Sequence, residues 1–466
     1  MSYWPCLLVL LFSGCEASHF LGTVMTYYPK AAENGSFTVV LRYKTNFIRC
    51  FDSLDLFWTC RSGDCGNSVV LLNTVDAELS NEWCQFEGIM TRVVPSNNPF
   101  QLQINSGNWI DNIFNIFAWR AVTLVELRTR SDTGQANRSP QTTNIPAIRV
   151  PSNCPRNLDF LAFDPDGDRV ECRYGLSSAG ECSQCTRLPS VRLSPSCSLF
   201  YLPNTNSSVG AYPVQLVMED FPRVAVNLSS TSGSQTFTNT TRISKIPFQF
   251  ILRVDPAVPD CTQGLYLPEF LPPTPANRAS LHTSFNQSIE ILISAHANIS
   301  SVSELLFSGP HNAVQARRGP ELFAVTWTPS EEEDGQSHPF CFIVQATHNS
   351  TKYHSDLRCV VVTVGEAPDT TTTPATPSTL FSSTTLHTST PTFTSTSFST
   401  ATEIITTTTP PTPFTPPRFV VALRLKGRAL TEVTPDNLDA LVTQPMRDQL
   451  AVLGVANFTL RLVGRT

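Results

Sequence analysis

The sequence predicts a mainly β protein, with tandem β-sandwich modules, a disordered Thr/Ser/Pro stalk and a small C-terminal β-α-β unit. Apolar and polar residues alternate over several short stretches, Pro and Gly cluster between these stretches, and the composition changes abruptly near Pro368. The length of 466 residues corresponds to about three folded domains. Charged residues make up only 15%, with a net charge of −6 and no basic block, which disfavours nucleic acid as a partner.

The first residues resemble a secretory leader. An apolar run from Cys6 to Phe12 is too short to span a bilayer, and Cys15 and Ala17 suit the −3 and −1 positions of a signal-peptidase site. We therefore predict a signal peptide over residues 1–17 and a secreted, extracellular protein. No later stretch has the roughly 18 apolar residues of a transmembrane helix. A cell-surface location, as the truncated ectodomain of a receptor, is the alternative.

Period-two patterns predict the strands. Residues 37–44 alternate with Phe37 and Leu41 inward, and residues 246–254 alternate with Phe248 and Phe250 inward and Gln249 outward. Further strands are predicted around residues 289–293, 323–327, 340–344 and 360–364. A Val-Pro pair precedes a cysteine at residues 150–154 and again at 258–261, which suggests two equivalent module starts. We predict a disulfide-containing β module over 18–150 and cadherin-like or immunoglobulin-like sandwiches over 151–257 and 258–367.

The segment that follows has an unusual composition. Residues 370–417 contain 21 Thr, 7 Ser and 8 Pro, and Glu403 is their only charge. Such a segment cannot bury enough apolar surface to fold, and it is typical of an O-glycosylated, mucin-like stalk. A plain flexible linker is the alternative for residues 368–417. Beyond it, two predicted strands flank a helix that begins at Thr434-Pro435, which gives a β-α-β unit over 418–466.

Twelve cysteines remain after the leader is removed, and an oxidising compartment favours disulfides between them. Cys341 and Cys359 are each nine residues from Ser350, so a hairpin with its tip there places them opposite each other, on the face away from the module core. We predict this disulfide. The other predicted disulfide cysteines have open connectivities: Cys50, Cys60, Cys65 and Cys84 allow three, and the six from Cys154 to Cys261, including the inward-facing Cys172 and Cys197, allow fifteen. With Cys341–Cys359 closed, Cys261 is left to bridge back across the boundary between the two sandwiches.

Nine Asn-X-Ser/Thr sequons predict a glycosylated surface. The sequon at Asn137 is doubtful because Pro140 follows Ser139. The predicted glycosylation sites are Asn34, Asn206, Asn227, Asn239, Asn286, Asn298, Asn349 and Asn457.

One group of carboxylates suggests a metal. Asp164, Asp166 and Asp168 alternate in a short loop, and Glu219 and Asp220 follow on a later strand. Closely spaced oxygen ligands are what Ca²⁺ requires, so we consider calcium the one candidate cofactor. The alternative is a tight turn with solvated acids, because Pro165 and Gly167 suit a β-turn and no closing Glu follows.

Several longer segments carry a family resemblance, namely residues 130–140, 163–174, 212–221, 326–329 and 340–344. The chain resembles uncharacterised animal extracellular proteins with tandem cadherin-like or immunoglobulin-like sandwiches, over roughly residues 20–365. The tail resembles half of a SEA-type module, a kind that follows mucin stalks, but it has no self-cleavage motif. The resemblance implies an adhesion-type architecture and no specific activity.

No motif in the sequence assembles a nucleophile, a base and an orienting group. We therefore predict a non-catalytic protein that binds an unidentified extracellular protein or glycan. A structural role, as a mucin-like matrix or barrier component, is the alternative.

Overall fold

The computed structural model describes residues 19–33, 36–50, 57–80, 82–203 and 208–365. The predicted signal peptide, stalk and β-α-β unit lie outside these ranges. Within them, no helix is long and apolar enough to cross a membrane.

The predicted mainly β fold is confirmed. The described residues form strands and two single-turn 3₁₀ helices, Ser177–Ala179 and Glu331–Glu333. The strands are β1 Phe20–Glu33, β2 Ser36–Phe47, β3 Thr59–Ser62, β4 Asn67–Ala77, β5 Cys84–Val94, β6 Phe100–Ser106, β7 Trp119–Val125, β8 Thr129–Arg130, β9 Ala147–Pro151, β10 Arg156–Asp159, β11 Arg169–Tyr174, β12 Val191–Leu193, β13 Ser198–Tyr201, β14 Gly210–Phe221, β15 Val226–Ser230, β16 Gly233–Phe237, β17 Lys245–Asp255, β18 Glu269–Leu271, β19 Ala279–Thr283, β20 Ile289–His296, β21 Ser301–Ser308, β22 Val314–Gly319, β23 Leu322–Trp327, β24 Ser337–His348, β25 Thr351–His354 and β26 Arg358–Val364.

The largest unit is an 11-stranded sheet, which we call the large sheet. Its main order is β3-β6-β7-β17-β1-β2-β5-β4, and β9 and β14 also pair with β17 while β11 pairs with β14. Strand β17 therefore joins the N-terminal strands to those of the second predicted module. The expected boundary at residue 150 falls inside β9, whose pairing with β17 is parallel. The division at this residue remains a prediction, and main-chain hydrogen bonds cross it.

Strands β18 to β26 form a two-sheet sandwich, which we call the C-terminal sandwich. One sheet has the order β18-β20-β23-β22 and the other the order β19-β26-β24-β21, with β25 paired to β24. Alternate residues of facing strands fill the space between the sheets, among them Trp327, Phe340 and Val360, each at most 1% exposed. This packing follows from the period-two pattern of these strands, because side chains of one parity share one face.

The opposite face of the β24–β26 sheet is also buried, which corrects one prediction. The sequence places the sulfurs of Cys341 and Cys359 on an outer face, and both residues are in fact 0% exposed. They do point away from the sandwich core, but they join the core of the large sheet, to which Ile343 also belongs. The polar face of an isolated sandwich has thus become an internal surface between the two units.

Candidate functional site

The predicted calcium loop lies between β10 and β11. One carboxylate oxygen each of Asp164, Asp168 and Asp220 lies within 4.8 Å of the other two. The loop is also a tight turn: the N–H of Gly167 donates to the main-chain oxygen of Asp164 at 3.1 Å, and Gly167 has a φ of +82°. The turn and the cluster are therefore compatible. Glu219 takes no part in the cluster and accepts hydrogen bonds from Arg173 at 2.6 and 3.0 Å.

We call Asp164, Asp168 and Asp220 the carboxylate cluster. The guanidinium of Arg130 lies against it. The Arg130 side chain is 1% exposed, and its two terminal nitrogens donate to both oxygens of Asp168 at 2.5 and 2.9 Å. It also donates to Asp132 at 2.8 and 3.0 Å. Burial by itself lowers the pKa of Arg130, but the hydrogen bonds to Asp132 and Asp168 raise it above its usual range. Arg130 therefore remains charged and neutralises part of the cluster.

Most of the remaining carboxylate oxygens already accept hydrogen bonds. Asp166 accepts from the main-chain N–H of Arg138 at 2.7 Å, and Asp220 accepts from the N–H of Ser244 at 2.6 Å and from Asn137 Nδ2 at 3.0 Å. Within the described residues, Oδ2 of Asp164 is buried without a hydrogen-bond partner. Calcium requires six to eight oxygen ligands. The residues present do not fit that ion while Arg130 holds Asp168.

Two carboxylates of the cluster, those of Asp164 and Asp220, have a raised pKa and retain protons more readily than exposed carboxylates do. Burial, followed by the charges of Asp220, Asp166 and Asp168, raises the pKa of Asp164 well above its usual value. Burial also raises the pKa of Asp220 to about 6, although hydrogen bonds from Asn137 and Ser244 oppose the shift. Mutual repulsion between close carboxylates favours the protonated form of at least one of them.

A second polar group lies where the large sheet meets the C-terminal sandwich. Lys44 Nζ lies 2.8 Å from Glu87 Oε1, and Lys44 also donates to the main-chain oxygen of Gly309. The main-chain N–H and the Nδ1 of His311 each lie 2.9 Å from Glu87 Oε2. Arg42 reaches Glu333 at 2.8 Å. These bonds attach β2 and β5 to loops of the sandwich, and we call this contact the sheet–sandwich interface.

The charges in this interface depend on one another. Burial by itself raises the pKa of Glu87, but Lys44, His311 and Arg42 together lower it below its usual range. Burial lowers the pKa of Lys44, and the charge of Glu87 opposes that shift. Lys44 and Glu87 are 6% and 2% exposed, so neither charge has water as an alternative partner. The buried charges of Lys44 and Glu87 therefore hold the large sheet against loops of the C-terminal sandwich.

Six disulfides lie within the described residues, and one of them links two of the predicted modules. The bonds are Cys50–Cys84, Cys60–Cys65, Cys154–Cys261, Cys172–Cys197, Cys182–Cys185 and Cys341–Cys359. The structure thus selects one of the three connectivities open to the first four cysteines. It also contains the predicted disulfide between Cys341 and Cys359, and Asn349 and Ser350 lie at the tip of the hairpin. Cys261 joins Cys154 and so links the second and third predicted modules.

The sequons differ in exposure. Asn227, Asn239, Asn286, Asn298 and Asn349 are exposed, as N-glycosylation requires. Asn137 is 0% exposed and hydrogen-bonded to Arg130 and Asp220. Asn34, Asn206 and Asn457 lie outside the described residues.

Sequence reasoning missed the role of Arg130 and the pair of Lys44 with Glu87. A signal for the second was present, because Arg42 and Lys44 occupy the outward positions of a strand with a strongly apolar inner face. Charged residues at outward positions of a strand are usually solvated. Only the burial of this face in the structure shows that Lys44 is not.

No family model matches the chain, and no curated protein matches it by sequence. Among solved structures, the chain is similar to a titin fragment (11% identity, 49% of this chain and 100% of that one, TM-score 0.16). It is also similar to the tandem immunoglobulin repeats of Dlar (10%, 49% and 96%, TM-score 0.19) and to the EC1–2 fragment of human protocadherin-24 (10%, 49% and 99%, TM-score 0.14). Superposition at these scores is too poor to carry an argument about function.

Proposed function

We propose that the protein is a secreted, disulfide-bonded glycoprotein that acts as a non-catalytic extracellular adhesion or binding protein. Its partner would be another extracellular protein or a glycan. Disulfides are typical of proteins that mature in an oxidising compartment. Six of them cross-link the described chain, which supports an extracellular setting.

The observation that carries the proposal is the sheet–sandwich interface. It includes the buried Lys44–Glu87 pair, and the enclosed Cys341–Cys359 disulfide of the sandwich packs against the core of the large sheet. The Cys154–Cys261 bond ties the same units covalently. A stiff β scaffold keeps its loops and edges in fixed positions, which lowers the entropic cost of recognition.

A structural role in a mucin-like matrix or barrier is the second candidate. The Thr-, Ser- and Pro-rich composition of residues 370–417 favours it, because dense O-glycans on such a segment hold water and keep a chain extended. In this case the folded part would serve as an anchor. The ectodomain of a cell-surface receptor is a further form of the binding proposal.

The test uses the full chain, expressed in animal cells and purified from the medium. It is screened against arrays of extracellular proteins and of glycans, beside a matched control in which residues 370–417 are replaced by Gly/Ser sequence of equal length. Saturable binding that the control retains supports the binding proposal. Binding that only the natural segment confers supports the matrix role, and protein that stays in the cytosol with free thiols contradicts both.

A further inference from the structure

Strand β4 ends the large sheet, and most of its outer edge is free of contacts with other strands of the described ranges. Within the described residues it pairs with β5 and with no other strand. Its C-terminal end is anchored, because Asp76 accepts hydrogen bonds from the N–H of Phe307 at 3.0 Å and from Gln315 at 2.9 Å. The stretch 67–74 before this anchor therefore has main-chain groups on its outer edge that another strand can reach.

This free stretch carries an apolar surface. Val69 is 70% exposed and Leu71 is 62% exposed, and Leu72, on the opposite face of the strand, is 40% exposed. Val93 of β5 pairs with Asn67 and is 48% exposed, so it lies on the same face of the sheet as Val69 and Leu71. Isolated exposed apolar residues are ordinary, but a contiguous group at a free edge is typical of an interaction site.

The stretch 67–74 also lacks the charges and prolines that keep many edge strands apart. Natural edges are commonly blunted by Lys, by Pro or by inward-pointing charges. Residues 67–75 read Asn-Ser-Val-Val-Leu-Leu-Asn-Thr-Val and contain no charge and no Pro. In addition, none of the nine sequons begins between residues 50 and 136, so β3 to β7 carry no predicted N-glycan.

We propose that the free edge of β4 pairs with the same strand of a second copy of this chain, antiparallel across a two-fold axis. This inference rests on the proposed function and names one partner for it. In a register centred on Leu71, that residue faces its own copy, Val70 faces Leu72 and Val69 faces Asn73. No like charges meet in this register. Because residues 67–75 contain no charged side chain, the strand has no opposite charge with which to attract a charged strand of another protein.

The size of the contact sets the strength of the association. Stable interfaces bury about 1,200 to 2,000 Å² in total, and one pair of short strands with their exposed side chains covers less. We therefore expect a dissociation constant on the order of 10 µM. Dense display of the protein would make such a contact effective through avidity.

The test is sedimentation velocity on the full, secreted chain over a concentration series that brackets about 10 µM. Leu71→Lys places two lysines opposite each other at the axis, and Val69→Lys is a second variant at the same edge. The matched control is Val314→Lys, because Val314 is 64% exposed and lies on β22, the edge strand of another sheet. Circular dichroism and the melting temperature establish that each variant is folded.

The expected result is a reversible wild-type dimer, at least about tenfold weaker in both β4 variants and unchanged in the control. A wild-type chain that stays monomeric throughout the series overturns the inference. So does a dimer that persists in both β4 variants, or one that the control weakens equally. A monomeric chain that binds a partner on the arrays overturns this inference alone and leaves the proposed function intact.

Discussion

The Sγ atom of Cys341 lies 3.5 Å from the main-chain oxygen of Thr143, although 198 residues separate them in the chain. The disulfide of a sandwich hairpin therefore packs directly against the region that leads into β9. Next to it, Ser308 donates to Gln85 at 2.6 Å, which ties β21 to β5. The surface between these units is thus assembled from cysteines, hydroxyls, amides and ion pairs.

The Lys44–Glu87 pair should be important for this surface. Lys44→Met is expected to destabilise the protein by about 3 kcal/mol, because it leaves a buried carboxylate with weaker compensation. Urea unfolding measures the loss, and amide exchange near Gly309 should speed up. The matched control is Lys30→Met, since Lys30 pairs with Glu332 at 3.4 Å on the exposed surface and should contribute less than about 1 kcal/mol.

A double-mutant cycle tests whether these two charges act as a pair. Lys44→Met combined with Glu87→Gln should cost less than the sum of the single changes by at least about 1 kcal/mol, because no unpaired charge remains. Additive costs would contradict the pairing.

Asp76 should make stability depend on pH. Burial raises its pKa from 3.8 to about 7, although hydrogen bonds from Phe307 and other groups oppose the shift. Between these two pKa values the folded state holds a proton that the unfolded state releases. The contribution of Asp76 to the free energy of unfolding is therefore largest below about pH 4 and is lost as the pH rises towards 7, by at most about 1.4 kcal/mol per pH unit.

Asp76→Asn removes this titration. The difference in melting temperature, variant minus wild type, should increase between pH 4.5 and pH 7.5 and then level off. Asp111→Asn, at an exposed position, is the matched control for the loss of one carboxylate. A difference for Asp76→Asn that is constant over this range would refute the assignment.

Arg130 should take the place of a metal in the carboxylate cluster. The wild-type melting temperature is expected to be the same in EDTA and in millimolar calcium, because the guanidinium holds both oxygens of Asp168. Arg130→Met should lower stability by about 3 kcal/mol and make the variant melt higher with calcium than with EDTA.

Two variants serve as controls for this prediction: one changes a neighbouring arginine, and the other changes a predicted calcium ligand. Arg128→Met removes a guanidinium that pairs with Glu126 outside the cluster, and it should not introduce calcium dependence. Asp166→Asn should leave the melt insensitive to EDTA. Destabilisation of the wild type by EDTA would show that a metal does bind and that the guanidinium is displaced.

Glycan mapping should distinguish Asn137 from the exposed sequons. Its amide accepts from Arg130 at 2.6 Å and donates to Asp220 at 3.0 Å, so it cannot also carry a sugar in this fold. Enzymatic deglycosylation in heavy-oxygen water, followed by mass spectrometry, should label Asn349 and leave Asn137 unlabelled. Asn137→Gln should destabilise the protein, whereas Asn349→Gln should remove only a glycan. Labelled Asn137 in folded material would contradict the arrangement.

Periodicity in the sequence was sufficient to predict six of the described strands, among them β2 and β17. Phe248 and Phe250 of β17 are fully buried, and the alternation in residues 246–254 indicates this directly. Gln249 was predicted to face outward, and it is 1% exposed because its side chain donates to the main-chain oxygen of Arg120 at 2.7 Å. Alternation shows that a strand has two faces, but it does not show whether another layer covers the second.

The candidate site was predictable to the same limited extent. Local spacing brings Asp164 near Asp168, and hairpin arithmetic places Cys341 opposite Cys359. The position of Arg130 depends on a contact between segments 38 residues apart, and that of Lys44 on one with Gly309, 265 residues away. Such contacts are set by how whole sheets pack, for which one sequence carries no short-range signal.

The central position of β17 also constrains how the chain is made. This strand pairs with β1, β7, β9 and β14, and thus the large sheet cannot close before residue 255 has left the ribosome. Until then the edge of β1 that pairs with β17 has no partner strand. We therefore expect the large sheet to form late in synthesis, because its pairings join strands that are far apart in the sequence.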